Sequence, residues 1–109
     1  MPYSVELTED ALGDLTDTIL YLQRNEVDGR AEHVLTQIEK SLASLSEHAT
    51  RGAHPPELMA LGIQEYREIF FKPYRIVYRV REEYVHVLLI VDGRRDLQPL
   101  LQRRLLLAR

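Results

Sequence analysis

Several residue types that build chemical sites are missing from this chain or too scattered to form one. None of its 109 residues is cysteine, which excludes disulfides and thiolate chemistry and fits a reducing compartment. The four histidines include no pair at i and i+4, so neither a metal nor a cofactor is expected. The five glycines are isolated, and no serine lies in a G-x-S-x-G motif, so we expect no phosphate loop and no nucleophile elbow.

Long apolar runs are also missing. No run approaches the roughly 18 apolar residues that a membrane span needs. The first residues, M-P-Y-S-V-E-L, have neither the basic nor the apolar region of a signal peptide. We therefore expect a cytoplasmic protein without a membrane partner, built as a single domain over residues 1–109.

The net charge of −3 conceals an uneven distribution of charge along the chain. Residues 1–50 contain ten acidic and three basic residues, whereas residues 51–109 contain seven acidic and eleven basic ones. A split of this kind is compatible with ordinary solvated surfaces. It also indicates that the second half binds an anionic partner.

Strand-forming residues dominate the stretch from Tyr74 to Asp96. Val, Ile, Leu and Tyr prevail on both sides of Glu82-Glu83, which predicts two long strands joined by a two-residue turn. Such a turn fixes the pairing, so we expect Val77 opposite Leu88 and Arg75 opposite Ile90.

Alternation along these two strands predicts two unlike faces. One is entirely apolar and needs a cover of helices; it consists of Tyr74, Ile76, Tyr78, Val80, Val85, Val87, Leu89 and Val91. The other is expected to be an open, concave surface, with Arg75 paired to Asp92 across the strands or left for an anionic partner. It consists of Arg75, Arg79, Arg81, His86 and Asp92, with Arg94 and Arg95 following.

The other segments complete an α+β fold, in which an N-terminal strand and a helical hairpin pack on a small antiparallel sheet closed by a C-terminal helix. We predict a strand over residues 3–7, a helix over 9–24 capped by Thr8, a second helix after Gly29, and a strand over 63–71. Pairing of Phe71 with Tyr74 would place Glu68 on the arginine face, together with Tyr66 and Phe70. Asp96 is the expected cap of the last helix, and its apolar stripe comprises Leu97, Leu100, Leu101, Leu105 and Leu106.

Two segments carry a resemblance to a known family: P-Y-R-I-V-Y-R-V at Pro73–Val80 and I-V-D-G-R-R-D-L at Ile90–Leu97. The chain resembles a toxin of the RelE/ParE superfamily, the toxic half of bacterial type II toxin–antitoxin modules. The resemblance spans nearly the whole chain. It implies growth inhibition, a role in plasmid stabilisation, and a cognate antitoxin whose acidic and apolar segment would bind the arginine face and the leucines at 105–107.

The superfamily has two branches with different targets. RelE-like members cut mRNA on the ribosome, and their pattern matches Arg75 and Arg95 here, with Glu68 as the conceivable base. The lysines of that pattern and its C-terminal tyrosine are absent, and Asp92 stands where many relatives have histidine. The interpretation that we favour is therefore a ParE-like inhibitor that binds DNA gyrase without chemistry of its own.

The alternatives are a ribosome-dependent mRNA endonuclease and a decayed toxin that only binds its antitoxin. The candidate residues for binding the target or partner are Arg75, Arg79, Arg81, His86, Asp92, Arg94 and Arg95.

Overall fold

The chain folds into a sheet with helices on both of its faces. The computed structural model describes residues 2–25 and 28–107, without the side chains of residues 106 and 107. The sheet has the strand order β1-β4-β3-β2, with β1 parallel to β4 and the other pairs antiparallel. This confirms the predicted α+β architecture. The elements are β1 (Ser4–Leu7), α1 (Glu9–Asn25), α2 (Arg30–Glu47), α3 (Pro56–Met59), β2 (Tyr66–Phe71), β3 (Tyr74–Arg81), β4 (Tyr84–Asp92) and α4 (Gln98–Leu107).

The first face of the sheet is covered by the hairpin of α1 and α2, as predicted. The backbone N–H of Ala11 donates to Thr8 Oγ1 at 3.1 Å, so Thr8 caps α1. Apolar residues recur along α2 at helical spacing and face the sheet. The resulting core contains Val34, Ile38, Leu42, Leu45, Ile69, Tyr74, Ile76, Tyr78, Val85, Val87 and Ile90.

A β-bulge corrects the predicted pairing of β3 with β4. The turn at Glu82-Glu83 forms as expected, and Arg79 lies opposite His86, but the register shifts between Val77 and Tyr78. Val77 therefore opposes Leu89 rather than Leu88. An extra residue in one strand exchanges the faces of all residues beyond it.

The exchange of faces alters the residues that each core contains. Arg75 opposes Val91 rather than Ile90, so Leu89 and Val91 share the face of Arg75. Ile90 lies instead in the first core, beneath the helical hairpin. The prediction was wrong for these three residues of β4 and for Asp92, which pairs with Tyr74 and so leaves the arginine face, because the turn specifies the register only up to the bulge.

The bulge is held by two charged side chains from distant parts of the chain. Asp14 of α1 accepts the backbone N–H of Ile90 at 3.1 Å. Arg104 of α4 donates to the carbonyl of Leu88 at 3.0 Å and to the Asp14 carboxylate at 2.7 Å. These contacts give hydrogen-bond partners to backbone groups of β4 that lie beyond the end of β1, and they connect α4 to α1.

The second face of the sheet, which carries Arg75, Val77, Arg79 and Arg81 of β3, is covered over part of its length rather than open. The N–H of Gln98 donates to Asp96 Oδ1 at 3.2 Å, which confirms Asp96 as the cap of α4. Helix α4 then packs its leucines on this face and closes a second core. That core contains Leu58, Tyr66, Val77, Leu88, Leu89, Val91, Leu97, Leu100 and Leu101. The side chain of Leu106, which we assigned to the same stripe, lies outside the described residues.

The sequence left the pairing of β2 with β3 open, and the structure shows it. Phe71 pairs with Tyr74, and Phe70 pairs with Arg75. Tyr66, Glu68 and Phe70 therefore lie on the second face. The strand begins at Tyr66, three residues later than predicted.

Candidate functional site

Arg75 lies at the centre of a buried cluster of charges on the second face. It is 8% exposed, and Glu68 beside it is 4% exposed. Arg75 Nε donates to Glu68 Oε1 at 2.8 Å, and Nη2 binds the same oxygen. On its other side the guanidinium forms a two-pronged pair with Glu57 of α3, with Nη1 2.7 Å from Oε2 and Nη2 2.8 Å from Oε1. The predicted open arginine face is thus wrong at Arg75.

Gly93 leaves the room that the Arg75 side chain occupies. Its N–H donates to the carbonyl of Pro73 at 2.7 Å, so the end of β4 lies close against the start of β3. A Cβ atom at residue 93 would lie 2.7 Å from Arg75 Cδ and 2.8 Å from its Cγ. The glycine of the D-G-R-R segment and the arginine of the P-Y-R segment are therefore in contact, which joins the two motifs of the resemblance into one structural unit.

The electrostatics of the cluster differ at its two carboxylates. Burial raises the pKa of Glu68, and the hydrogen bond from Arg75 opposes that shift. The hydrogen bond from Arg75 lowers the pKa of Glu57, which is more exposed. The pKa of Arg75 is raised further above its ordinary value, chiefly by the hydrogen bond to Glu57. Arg75 therefore remains a cation that binds both carboxylates, and its single charge balances one of them.

Asp92 does not pair with Arg75, so the ion pair across the strands, one of the two alternatives for Arg75, does not form. It accepts from Arg94 Nε at 2.9 Å and binds Arg94 Nη2 as well. This hydrogen bond lowers the pKa of Asp92, but the pair lies in solvent, where such contacts contribute little to stability. Arg95 is exposed, and in the described part of the chain its side chain makes no ion pair.

The other candidate residues lie at the hairpin end of the same face. The Arg79 guanidinium is 5.6 Å from the centre of the Tyr66 ring. His86 stacks on Tyr84, with ring centres 5.7 Å apart and an angle of 24° between the planes. Arg81 is exposed at the end of β3. These residues are separated along the strands from the Arg75 cluster.

Glu57 is the cluster residue that the sequence did not reveal. It follows two prolines in the segment between α2 and β2. Neither its spacing nor its neighbours indicate that it faces Arg75, which is 18 residues further along the chain. An acidic residue in a short helix normally faces water.

Among residues 2–25 and 28–107, no group of histidine, aspartate and glutamate side chains is arranged to hold a metal ion. In the same part of the chain, no helix combines the length and the apolar character needed to cross a membrane.

The fold is that of toxins from toxin–antitoxin systems. A structure of the chromosomal ParDE system from P. aeruginosa matches with a TM-score of 0.68 and 20% identity, over 83% of this chain and 95% of that one. The RelBE2 toxin–antitoxin complex from Mycobacterium tuberculosis matches with a TM-score of 0.59 and 20% identity, over 84% of this chain and 99% of that one. No curated protein sequence matches.

The sequence assigns the chain within this class. Residues 5–97 match the family described as the ParE toxin of the type II toxin–antitoxin system parDE. The chain therefore belongs to the ParE toxin family, within the RelE/ParE superfamily that the two segments indicated.

Proposed function

We propose that this chain is a growth-inhibiting toxin that binds DNA gyrase and is neutralised by a cognate antitoxin. Membership of the ParE toxin family supports the toxin class, and both structural neighbours come from toxin–antitoxin systems. Cations at the surface supply a binding site for an acidic or anionic partner. Arg79, which is half-buried, and Arg81, which is exposed, lie on the second face beside His86, and Arg94 and Arg95 are exposed beyond the end of β4.

One observation favours inhibition by binding over cleavage of RNA: the side chain that would serve as base is committed to an ion pair. A metal-free ribonuclease must remove a proton from the 2′-OH and deliver one to the 5′-oxygen. Glu68 is buried beneath Arg75, with Oε1 bound to Nε at 2.8 Å. Arginine itself does not exchange protons near neutral pH. His86 is six residues from Asp92 along β4, about 20 Å away.

The proposal predicts how two substitutions affect growth arrest when the chain is expressed. Glu68→Gln should leave arrest nearly intact, because the amide oxygen still accepts from Arg75 and no proton transfer is lost. Arg95→Ala should weaken arrest, because an exposed cation leaves the binding surface. Arg30→Ala removes the same charge from an exposed position at the start of α2 and serves as the matched control.

Transcript mapping during the same induction identifies the mechanism. We expect growth arrest without codon-phased cuts in mRNA. Cuts that appear with the wild-type chain and vanish with Glu68→Gln or Arg95→Ala would overturn the proposal and move the chain to the ribonuclease branch. Circular dichroism of each purified variant checks that it remains folded.

A further inference from the structure

The two carboxylates that bind Arg75 differ in how deeply they are buried. Glu68 lies in the sheet and is 4% exposed, whereas the Glu57 side chain is 24% exposed. Glu57 also holds the outer edge of the guanidinium, with one carboxylate oxygen on each terminal nitrogen. We propose that Arg75 forms a carboxylate-binding site, which Glu57 fills in the isolated chain and an acidic side chain of a protein partner fills in the complex. The identity of that partner as the antitoxin rests on the proposed function, but the site itself does not.

The site remains formed when Glu57 leaves it. Arg75 is fixed by Glu68 on one side and by the backbone at Gly93, which its methylene groups contact closely. Strand β3 is buried at Arg75 and paired on both sides. The guanidinium is therefore already positioned to receive a carboxylate, so little ordering is required when a partner binds.

Replacement of Glu57 by a carboxylate of the partner requires rotation of the Glu57 side chain and no movement of α3. Leu58, the next residue of α3, is completely buried in the second core and anchors the helix. Glu57 can swing into solvent from that anchored position, where its carboxylate becomes hydrated. The pair that it leaves, Arg75 with Glu68, has no net charge and can accept one further anion.

The surroundings favour a carboxylate flanked by apolar residues. Glu68 places a negative charge behind the guanidinium and disfavours a doubly charged anion relative to a carboxylate. Phe70, whose ring centre is 5.9 Å from Arg75 Cζ, is 56% exposed. Met59 of α3 is 42% exposed. A partner segment with an acidic residue between apolar residues would bind Arg75 and cover these side chains.

Small anions test the site in the full chain without any partner. Glu57→Ala should empty the outer edge of Arg75 and let acetate bind there. We expect the Tm of this variant to rise by roughly 3–6 °C with saturating acetate, relative to chloride at the same ionic strength. The wild type should not respond, and neither should Glu39→Ala, which removes an exposed glutamate from α2. Glu57→Gln, which keeps the side-chain volume, should show the same response with a smaller amplitude.

Two results would overturn the proposal. If acetate stabilises Glu57→Ala and Glu57→Gln no more than chloride does, Arg75 has no exchangeable carboxylate site. If inorganic phosphate stabilises them more than acetate, the site selects phosphate, and the assignment of an acidic protein side chain fails. The response must also vanish in Glu57→Ala/Arg75→Met. Failure of the gyrase proposal would appear in growth and transcript assays and would leave these outcomes unchanged.

Discussion

Arg75→Ala is expected to lower the free energy of unfolding by about 3–5 kcal/mol, because it removes the cation from a buried cluster. Glu68 would remain buried without its partner, and Glu57 would face it across the vacated space. A loss of this size is a large share of the roughly 5–15 kcal/mol that stabilises a typical domain. Chemical denaturation of the purified variants measures it directly.

Two comparisons separate this loss from the general effect of removing an arginine. Arg79→Ala removes a half-buried cation that lies over the Tyr66 ring and should cost much less. Arg75→Met combined with Glu68→Leu removes both buried charges and should restore most of the lost stability. Equal losses for Arg75→Ala and Arg79→Ala would contradict the buried cluster.

The loss caused by Arg75→Ala should shrink as the pH falls from about 7 towards about 4. The pKa of Glu57 is lowered by Arg75, so its contribution to the wild type is present at neutral pH and disappears as Glu57 becomes protonated in acid. The pKa of Glu68 is raised by burial, so protonation at low pH relieves the cost of burying its charge, most of all without Arg75. Both effects reduce the difference in the free energy of unfolding between the wild type and Arg75→Ala. A difference that widens in acid would contradict the assigned directions of the two pKa shifts.

Truncation of Ile76, Leu89 or Ile90 to alanine is expected to cost about 2–5 kcal/mol each. Ile76 and Ile90 are fully buried beneath α1 and α2, and Leu89 is fully buried beneath α4. The expectation for Ile90 depends on the bulge, because regular alternation would place it on the arginine face. Midpoints of denaturation for the three variants provide the measurement.

The pattern of the three values distinguishes the two registers. The bulge predicts that adjacent residues Leu89 and Ile90 are both costly to truncate, since each lies in a different core. A low cost for Ile90→Ala beside a high cost for Leu89→Ala would indicate the unbulged strand pair and contradict the observed register.

Local patterns in the sequence predicted most of the elements. The helical stripes, the cap at Thr8 and the turn at Glu82-Glu83 depend on residues within a few positions of each other. The structure confirms each of these, and the fold class with them. The pairing of Phe71 with Tyr74, which the sequence left open, is also observed.

The errors arose where distant residues determine the structure. The bulge is stabilised by Asp14 and Arg104, which are 90 residues apart, so no local sequence pattern predicts it. The packing of α4 on the second face follows from the bulge, because the bulge places Leu89 and Val91 on that face.

The candidate site was predicted in part. The two segments drew attention to Arg75, Arg94, Arg95 and Asp92, and the structure shows why Gly93 belongs with Arg75. The partners were wrong, because Asp92 binds Arg94 and Arg75 binds Glu57 and Glu68. Glu57 is on a helix of four residues whose direction only the second core fixes, through Leu58. The binding roles of Arg75, Arg79, Arg81, His86, Asp92, Arg94 and Arg95 stay predictions.

The central claim is that the chain inhibits by binding gyrase, while its buried glutamate holds Arg75 and does no chemistry. The most direct measurement adds the purified chain to DNA gyrase and follows supercoiling, with a translating extract monitored in parallel for cuts in mRNA. We predict loss of supercoiling by both the wild type and Glu68→Gln, with intact transcripts. Unchanged supercoiling together with cuts in ribosome-bound mRNA that depend on Glu68 would contradict the claim.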